Sequence, residues 1–181
     1  MARAVFLDRD GVINRTLIRG GKPFAPTRLD EFAILPDVPD ATKALHEAGY
    51  LLIVATNQPD IAAGKTTAET VAAMHDLIKK TLPVDDIRVC FHVDADNCNC
   101  RKPKPGLLLA AAADHRIDLG ASWMVGDRWR DVDAGRAAGC RTVFVDRGYD
   151  ETLPNPPDVT VRSLGEAVPF ILARSATAAR A

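Results

Sequence analysis

The stretch Ala4-Val5-Phe6-Leu7-Asp8-Arg9-Asp10-Gly11, near the start of the chain, decides the fold class. Its Val5-Phe6-Leu7 run is apolar and too short for a helix, and Gly11 closes it. Such a run is typical of a buried strand in a parallel sheet, where functional groups gather beyond the carboxyl ends of the strands. Asp8 and Asp10 come at that end, two residues apart, so both carboxylates point to one side of an extended backbone. Because neighbouring carboxylates repel each other, the pair predicts a bound cation or a shared proton.

A calcium loop is the alternative interpretation of Asp-x-Asp-Gly, since such loops often begin in this way. Calcium loops need further oxygen ligands at regular spacing, and Asn14 is the only one that the next residues offer. The sequence therefore favours a catalytic pair of aspartates.

Length and composition indicate one domain. The chain has 181 residues, 47% of them hydrophobic, which is enough for a single α/β core over residues 1–175 with a short tail at 176–181. A net charge of −1 gives no reason to expect a nucleic acid or a membrane surface as partner. No apolar run has the length of a spanning helix, and the first residues do not resemble a signal peptide, so we expect a cytoplasmic protein.

Short apolar runs alternate with amphipathic segments along most of the chain. This rhythm predicts a doubly wound parallel sheet, a Rossmann-like α/β fold. The predicted strands cover residues 5–7, 51–55, 87–91, 122–125 and 141–145, and the predicted helices cover 40–48, 66–82, 105–115, 130–138 and 164–173. Residues 20–23 are predicted to lie in a loop.

Polar residues follow three other predicted strands or precede a helix. Thr56 and Asn57 can bind phosphate oxygens, although they suit an ordinary turn equally well. The basic segment 101–104 precedes a helix, where cations and a helix N-terminus favour anions; the alternative is a solvated basic loop. Asp127 leaves a buried strand as Asp8 does, whereas Asp131 can equally cap the following helix.

The order of these groups resembles the four motifs of the haloacid dehalogenase superfamily of phosphohydrolases: Asp8-Arg9-Asp10-Gly11-Val12, Thr56, Lys102 in Lys-Pro-x-Pro, and Gly126-Asp127 with Asp131. The resemblance implies that Asp8 is the nucleophile that forms an aspartyl-phosphate and that Asp10 is the general acid and base. It also implies that Asp8, the main-chain carbonyl of Asp10 and Asp127 bind Mg²⁺. Thr56 and Lys102 are then expected to stabilise charge on the phosphate oxygens.

A cluster of soft ligands lies between residues 90 and 100. Cys90 and His92 form Cys-x-His, and Cys98 and Cys100 form Cys-x-Cys after five intervening residues, which suits a closed tetrahedral Zn²⁺ site. Disulfides are the alternative, which a histidine among the cysteines and an intracellular location disfavour. Cys140 is expected to be a buried packing residue.

A zinc loop that runs into Arg-Lys-Pro-Lys-Pro-Gly resembles the histidinol-phosphate and heptose bisphosphate phosphatases, which lack a large cap domain. The resemblance is stronger to the heptose enzymes and implies a small phosphorylated sugar as substrate. It implies substrate contacts by Asn57, Arg101, Arg128 and Arg19, with Arg101 at the distal phosphate. Hydrolysis of histidinol phosphate is the main alternative, and a DNA 3′-phosphatase or a receiver-type domain that only accepts a phosphoryl group is a weaker one.

Four positions depart from the pattern of that group. Pro59, Asp60 and Ala63 stand in the second motif where serine, glycine and arginine are usual, and Phe91 replaces a proline between the first two predicted zinc ligands. Lys65 can supply a positive charge near the missing arginine. With no cap and no recognisable assembly segment, we expect a monomer.

Overall fold

A six-stranded parallel sheet forms the centre of the computed structural model, which describes residues 1–178. The strand order is β5-β4-β1-β6-β7-β8, and each neighbouring pair is parallel. The strands of this sheet are β1 (Arg3–Leu7), β4 (Tyr50–Asn57), β5 (Asp86–Cys90), β6 (Trp123–Gly126), β7 (Arg141–Val145) and β8 (Val159–Val161). The chain runs outward from β1 through β4 to β5 and then returns to β6 on the other side of β1. The strand order therefore reverses between β1 and β6, where ligands bind in open α/β sheets.

Helices cover both faces of the sheet, as the doubly wound prediction requires. They are α1 (Val38–Glu47), α2 (Ala68–Thr81), α3 (Gly106–His115), α4 (Trp129–Ala138) and α5 (Leu164–Ala178). Val5 and Leu7 of β1 pack in one apolar cluster with α1, α2 and α5, and Ala4 and Phe6 pack in a second cluster with α3 and α4. Alternate residues of a strand thus serve opposite faces, so a continuous apolar run is needed to bury both.

A hairpin replaces the loop predicted around residues 20–23. Strands β2 (Leu17–Arg19) and β3 (Lys22–Phe24) pair in antiparallel fashion. Gly20 and Gly21 join them with φ angles of 57° and 74°, a conformation that glycine adopts readily in two-residue hairpin turns. Three-residue strands are too short to give a clear alternating pattern, and for the same reason β8 was not predicted.

The end of the chain is helical further than the sequence indicated. Helix α5 was predicted to end at residue 173 and continues to Ala178, so it includes the first half of the predicted tail at 176–181. Residues 179–181 lie outside the described part of the chain. Within residues 1–178, no helix combines the length and apolar character needed to cross a membrane.

Candidate active site

A buried ammonium group lies among carboxylates at the carboxyl edge of the sheet. The Nζ atom of Lys102 lies 2.8 Å from Oδ1 of Asp8 and 2.5 Å from Oδ1 of Asp131. It also donates a hydrogen bond of 2.7 Å to the main-chain oxygen of Ala55. The two aspartates and the lysine are all buried. Three residues that sequence motifs placed far apart therefore form one charged cluster.

The position of Lys102 depends on Asn57, at the end of β4. The Asn57 side-chain amide donates to the main-chain oxygen of Lys102, and its oxygen accepts from the main-chain nitrogen of Lys102, both at 3.1 Å. Asn57 was predicted to contact substrate. In the structure Asn57 lines the cleft, but both polar groups of its side chain form hydrogen bonds with the Lys102 backbone.

Asp131 both caps helix α4 and pairs with Lys102. Its Oδ2 atom accepts a hydrogen bond of 3.1 Å from the main-chain nitrogen of Arg128, which is the capping role considered from the sequence. A Cβ atom on Gly126 would come within 2.0 Å of the Asp131 Cβ atom. The glycine that ends β6 is therefore required for Asp131 to reach the lysine.

Asp127 is the most conspicuous buried carboxylate of the site. Its Oδ1 atom has no hydrogen-bond partner among the described residues. One carboxylate oxygen from each of Asp8, Asp127 and Asp131 lies within 4.8 Å of the other two. Since a buried carboxylate oxygen without a partner is costly, the arrangement fits a hard divalent cation such as Mg²⁺, which prefers oxygen ligands.

The charges of this cluster shift its pKa values. Burial, which the Lys102 charge opposes only in part and the Asp131 charge reinforces, raises the pKa of Asp8 to about 7. Burial and then the charges of Asp8 and Asp131 raise the pKa of Asp127 well above its usual range. Burial alone would lower the pKa of Lys102, but attraction to Asp131 and Asp8 outweighs it and keeps the lysine protonated. A cation beside Asp8 and Asp127 is what would favour their ionised forms.

The Asp10 carboxylate is held by three side chains on the other side of the site. Arg9, which is fully buried, donates to both of its oxygens at 2.9 Å. The Asn14 amide donates to Oδ1 at 3.0 Å, and the Gln58 amide donates to Oδ2 at 2.7 Å. Gln58 Nε2 also lies 2.9 Å from Oγ1 of Thr56. The predicted acid and base and the predicted phosphate ligand Thr56 are thus linked through one amide.

A cleft of about 370 Å³ opens above these groups. Its floor includes Asp8, Asp10, Lys102 and Asp127, while Thr56 lies buried beneath it. Of the predicted substrate contacts, Asn57, Arg101 and Arg128 line the cleft. Arg19 does not: it is exposed on the hairpin, with its guanidinium carbon 5.7 Å from the centre of the Phe24 ring, and Phe24 lines the cleft instead.

Several cleft residues were missed by the sequence analysis. They are Pro23, Phe24, Ala25, Asp60 and Arg130. Most lie on or beside the hairpin, which carried no strand signal. Lys65, predicted to supply a positive charge, does line the cleft, where its ammonium group lies 3.1 Å from Oδ1 of Asp60.

The four predicted zinc ligands converge on one point. The sulfur of Cys100 lies 3.2 Å from that of Cys90, 3.4 Å from that of Cys98 and 3.3 Å from Nδ1 of His92. All four cysteines lie within the described residues and are free thiols. A disulfide needs sulfur atoms about 2.05 Å apart, whereas a tetrahedral site with zinc–sulfur bonds of about 2.3 Å separates them by about 3.8 Å. The cluster therefore fits zinc and excludes the disulfide alternative in this structure, and Cys140 is buried apart from it.

Comparison with known proteins agrees with the geometry of the cleft. A family model described as HAD-hydrolase-like matches residues 99–167. A D-glycero-beta-D-manno-heptose-1,7-bisphosphate 7-phosphatase of Pseudomonas aeruginosa is 36% identical over 175 residues, which cover 93% of this chain and 90% of that protein. The Escherichia coli K12 protein of the same name is 36% identical over 178 residues, 90% of either chain. The crystal structure of D,D-heptose 1,7-bisphosphate phosphatase from B. bronchiseptica, complexed with magnesium and phosphate, superimposes with a TM-score of 0.81 at 30% identity, covering 95% of this chain and 99% of that one.

Proposed function

This chain belongs to the haloacid dehalogenase-like phosphatases, in the family of the heptose-1,7-bisphosphate 7-phosphatases, and on that basis we propose that it removes the 7-phosphate of D-glycero-D-manno-heptose 1,7-bisphosphate. The observation that carries the proposal is the buried Asp8–Lys102 contact at the floor of the cleft, beside the unpaired Asp127 oxygen. Phosphoryl transfer needs a nucleophile and a fixed positive charge, and the unpaired Asp127 oxygen offers a ligand for a metal ion.

Asp8 and Asp10 divide the chemistry in two steps. A carboxylate oxygen of Asp8 attacks phosphorus and forms an aspartyl-phosphate, while the bond to the sugar oxygen breaks and Asp10 donates a proton to that oxygen. Asp10, now a carboxylate, takes a proton from water as the water oxygen attacks phosphorus. This second step releases inorganic phosphate and restores both aspartates.

Lys102 and Thr56 act on the transferring phosphoryl group. Lys102 is charged and fixed by Asp131, so it can stabilise negative charge on the phosphoryl oxygens without reorganising during the reaction. The Thr56 hydroxyl is positioned by the Gln58 amide. Arg9, Asn14 and Gln58 act as positioning residues because they orient the Asp10 carboxylate.

Two metal ions complete the proposal. Asp8, Asp127 and the main-chain carbonyl of Asp10 would hold Mg²⁺, which when bound supplies positive charge that offsets repulsion between the nucleophile and the phosphate. Cys90, His92, Cys98 and Cys100 would hold a structural Zn²⁺ with no open position. The zinc loop leads directly into Arg101 and Lys102, so it fixes the segment that carries these two positively charged side chains.

The substrate proposal extends to the cleft wall and to the setting of the enzyme. Arg101 and Arg128 are the proposed contacts to the sugar phosphate, and Asn57 fixes the lysine loop. A cluster of free thiols suits a reducing compartment, which supports a cytoplasmic location. We propose a monomeric enzyme made of one domain over residues 1–175, which binds neither nucleic acid nor membranes.

A substrate panel with Mg²⁺ present tests the proposal. The panel consists of both anomers of heptose 1,7-bisphosphate, histidinol phosphate and a 3′-phosphorylated oligonucleotide. We expect the highest kcat/KM for one of the heptose anomers, with release of a single phosphate per molecule. A higher kcat/KM for histidinol phosphate or for the oligonucleotide would contradict the proposed substrate.

A further inference from the structure

One exposed carboxylate bridges two guanidinium groups at the wall of the cleft. Oδ1 of Asp94 accepts from Nε of Arg101 at 2.7 Å and from Nη1 of Arg130 at 3.0 Å. Oδ2 of Asp94 also accepts a hydrogen bond from Nη2 of Arg130, at 3.3 Å. The Asp94 side chain is 65% exposed, whereas those of Arg101 and Arg130 are 15% and 31% exposed. The two arginines are thus largely buried in the wall, and the carboxylate lies on its solvent side.

The two arginines come from different parts of the fold and still meet at one anion. Arg101 ends the zinc loop, and Arg130 lies in the first turn of α4. Both line the same cleft as Asp8. One carboxylate carries a single negative charge against two guanidinium charges. A phosphate dianion offers twice that charge and three acceptor oxygens, which suit bidentate contacts with arginine.

The Asp94 contacts with Arg101 and Arg130 are ion pairs whose carboxylate is exposed to solvent. Exposed ion pairs contribute little net stability because water replaces them readily. The pair between Arg128 and Glu151 differs, since the Glu151 side chain is only 7% exposed and also accepts a hydrogen bond from the main-chain nitrogen of Trp129. An incoming anion therefore displaces Asp94 more readily than Glu151.

We propose that Arg130 joins Arg101, which the family resemblance already assigns to the distal phosphate, in binding the second, non-reacting phosphate, and that Asp94 occupies this site until the phosphate displaces it. The proposal rests on the proposed sugar bisphosphatase function and deepens it, because it assigns Arg130 and Asp94 to selection of a doubly phosphorylated substrate. Asp94 acts as a competing internal anion, so it lowers affinity for every ligand that enters this site.

Three ligands separate the site of the second phosphate from the reacting centre. KM is measured for heptose 1,7-bisphosphate and for heptose 7-phosphate, which lacks the second phosphate. The Kd of heptose 1-phosphate, which carries only the second phosphate, is measured by calorimetry and needs no turnover. The variants are Asp94→Asn and Arg130→Gln, and the controls are Asp30→Asn and Arg28→Gln, which break an exposed arginine–aspartate pair elsewhere on the surface.

We expect Asp94→Asn to lower KM for the bisphosphate and Kd for the 1-phosphate by about three- to tenfold, in line with the loss of two exposed ion pairs. We expect Arg130→Gln to raise KM for the bisphosphate and Kd for the 1-phosphate by about tenfold or more. KM for the 7-phosphate should stay within twofold of wild type in both variants. The controls should leave all three constants unchanged. A higher KM for the bisphosphate in Asp94→Asn, or an equal change for the 7-phosphate, would overturn the proposal, since Asp94 would then only hold the arginines in place. An enzyme that hydrolyses neither heptose phosphate would contradict the proposed function instead, and the 1-phosphate Kd values would still decide the anion site.

Discussion

The Nζ atom of Lys102 lies 2.8 Å from Oδ1 of Asp8, and both side chains are buried at the carboxyl edge of the sheet. This contact joins the first and third sequence motifs across 94 residues. It places one positive charge among the carboxylates of Asp8, Asp127 and Asp131, which otherwise repel one another. The site is therefore held together by the same lysine that is proposed to bind the phosphoryl group.

Replacing Lys102 is expected to affect both folding and activity. We expect Lys102→Met to lower the free energy of unfolding by about 3–5 kcal/mol, because it leaves buried carboxylates without their partner. We expect kcat/KM to fall at least about 100-fold through loss of the fixed charge. Urea unfolding and steady-state kinetics measure the two effects. The control Lys43→Met removes an exposed lysine paired with Glu47, and equal stability of the two variants would contradict this account of the site.

The raised pKa of Asp8 predicts how stability depends on pH. The folded protein holds a proton on Asp8 up to about pH 7, whereas an unperturbed aspartate loses it near pH 3.8. The folded state thus binds more protons in this interval, and stability falls as the pH rises from about 4 to 7. His75, whose pKa burial and the Arg9 charge lower to about 4, contributes in the opposite direction over part of the range. Asp127, whose pKa is raised by burial and by the charges of Asp8 and Asp131, contributes in the same direction as Asp8. Urea unfolding of wild type and of Asp8→Asn, which retains His75, therefore measures the contribution of Asp8 together with its effect on Asp127.

Mg²⁺ is expected to stabilise the protein more at pH 8 than at pH 5, since metal binding requires ionised carboxylates. Urea unfolding of wild type and Asp8→Asn at both pH values, with and without Mg²⁺, measures this difference. We expect the Mg²⁺ effect to be largely lost in Asp8→Asn. An equal Mg²⁺ effect at both pH values in wild type would contradict the prediction.

Gly11 and Gly139 offer a matched pair of substitutions. Both have a left-handed backbone, with φ angles of 88° and 86°. A Cβ atom at residue 11 would come within 1.9 Å of the Asp127 carboxylate, whereas one at residue 139 meets open space. Each Ala substitution should cost about 1–2 kcal/mol of stability through its backbone alone. We expect only Gly11→Ala to lower activity at least about 100-fold and to abolish the stabilisation of the protein by Mg²⁺. Similar activities of the two variants would show that the Gly11–Asp127 contact is unimportant.

The zinc cluster predicts a bound metal that can be counted. We expect about one equivalent of zinc per chain by elemental analysis of protein purified without chelator. Cys98→Ser should lose the metal and unfold at a lower temperature, because metal-binding energy contributes to folding. Cys140→Ser is the control, since this cysteine is buried away from the cluster, and it should retain the zinc. Zinc-free wild-type protein of unchanged stability would contradict a structural metal.

The sequence predicted those parts of the fold and site that depend on local patterns. Val5-Phe6-Leu7 could be predicted as a strand because both of its faces are buried. Asp8 and Asp127 could be assigned to one site because the ends of parallel strands share an edge. The convergence of Cys90, His92, Cys98 and Cys100 was predictable because cysteine and histidine rarely recur at such spacing without a metal.

The remaining features depend on contacts between distant segments. The hairpin that carries Phe24 has strands of three residues, which give no clear periodicity. Asn57 binds the Lys102 backbone because a loop 45 residues away folds against it. The ion pairs of Arg130 with Asp94 span 36 residues between two exposed side chains, and no sequence pattern indicates such a pair. Short-range patterns therefore locate the chemistry, while tertiary contacts decide which side chains surround the substrate.

Trapping the phosphorylated enzyme tests the central claim, that Asp8 is the nucleophile. Asp10→Asn removes the acid of the first step as well as the base of the second, so the trapping uses labelled p-nitrophenyl phosphate, whose leaving oxygen needs no protonation. With this substrate only the second step is blocked, and the aspartyl-phosphate should accumulate. Acid quenching, borohydride reduction and peptide mapping then identify the modified residue. The account predicts homoserine at position 8, formed from the aspartyl-phosphate, and none in Asp8→Asn. Label at another residue, or turnover by Asp8→Asn at the wild-type rate, would contradict it.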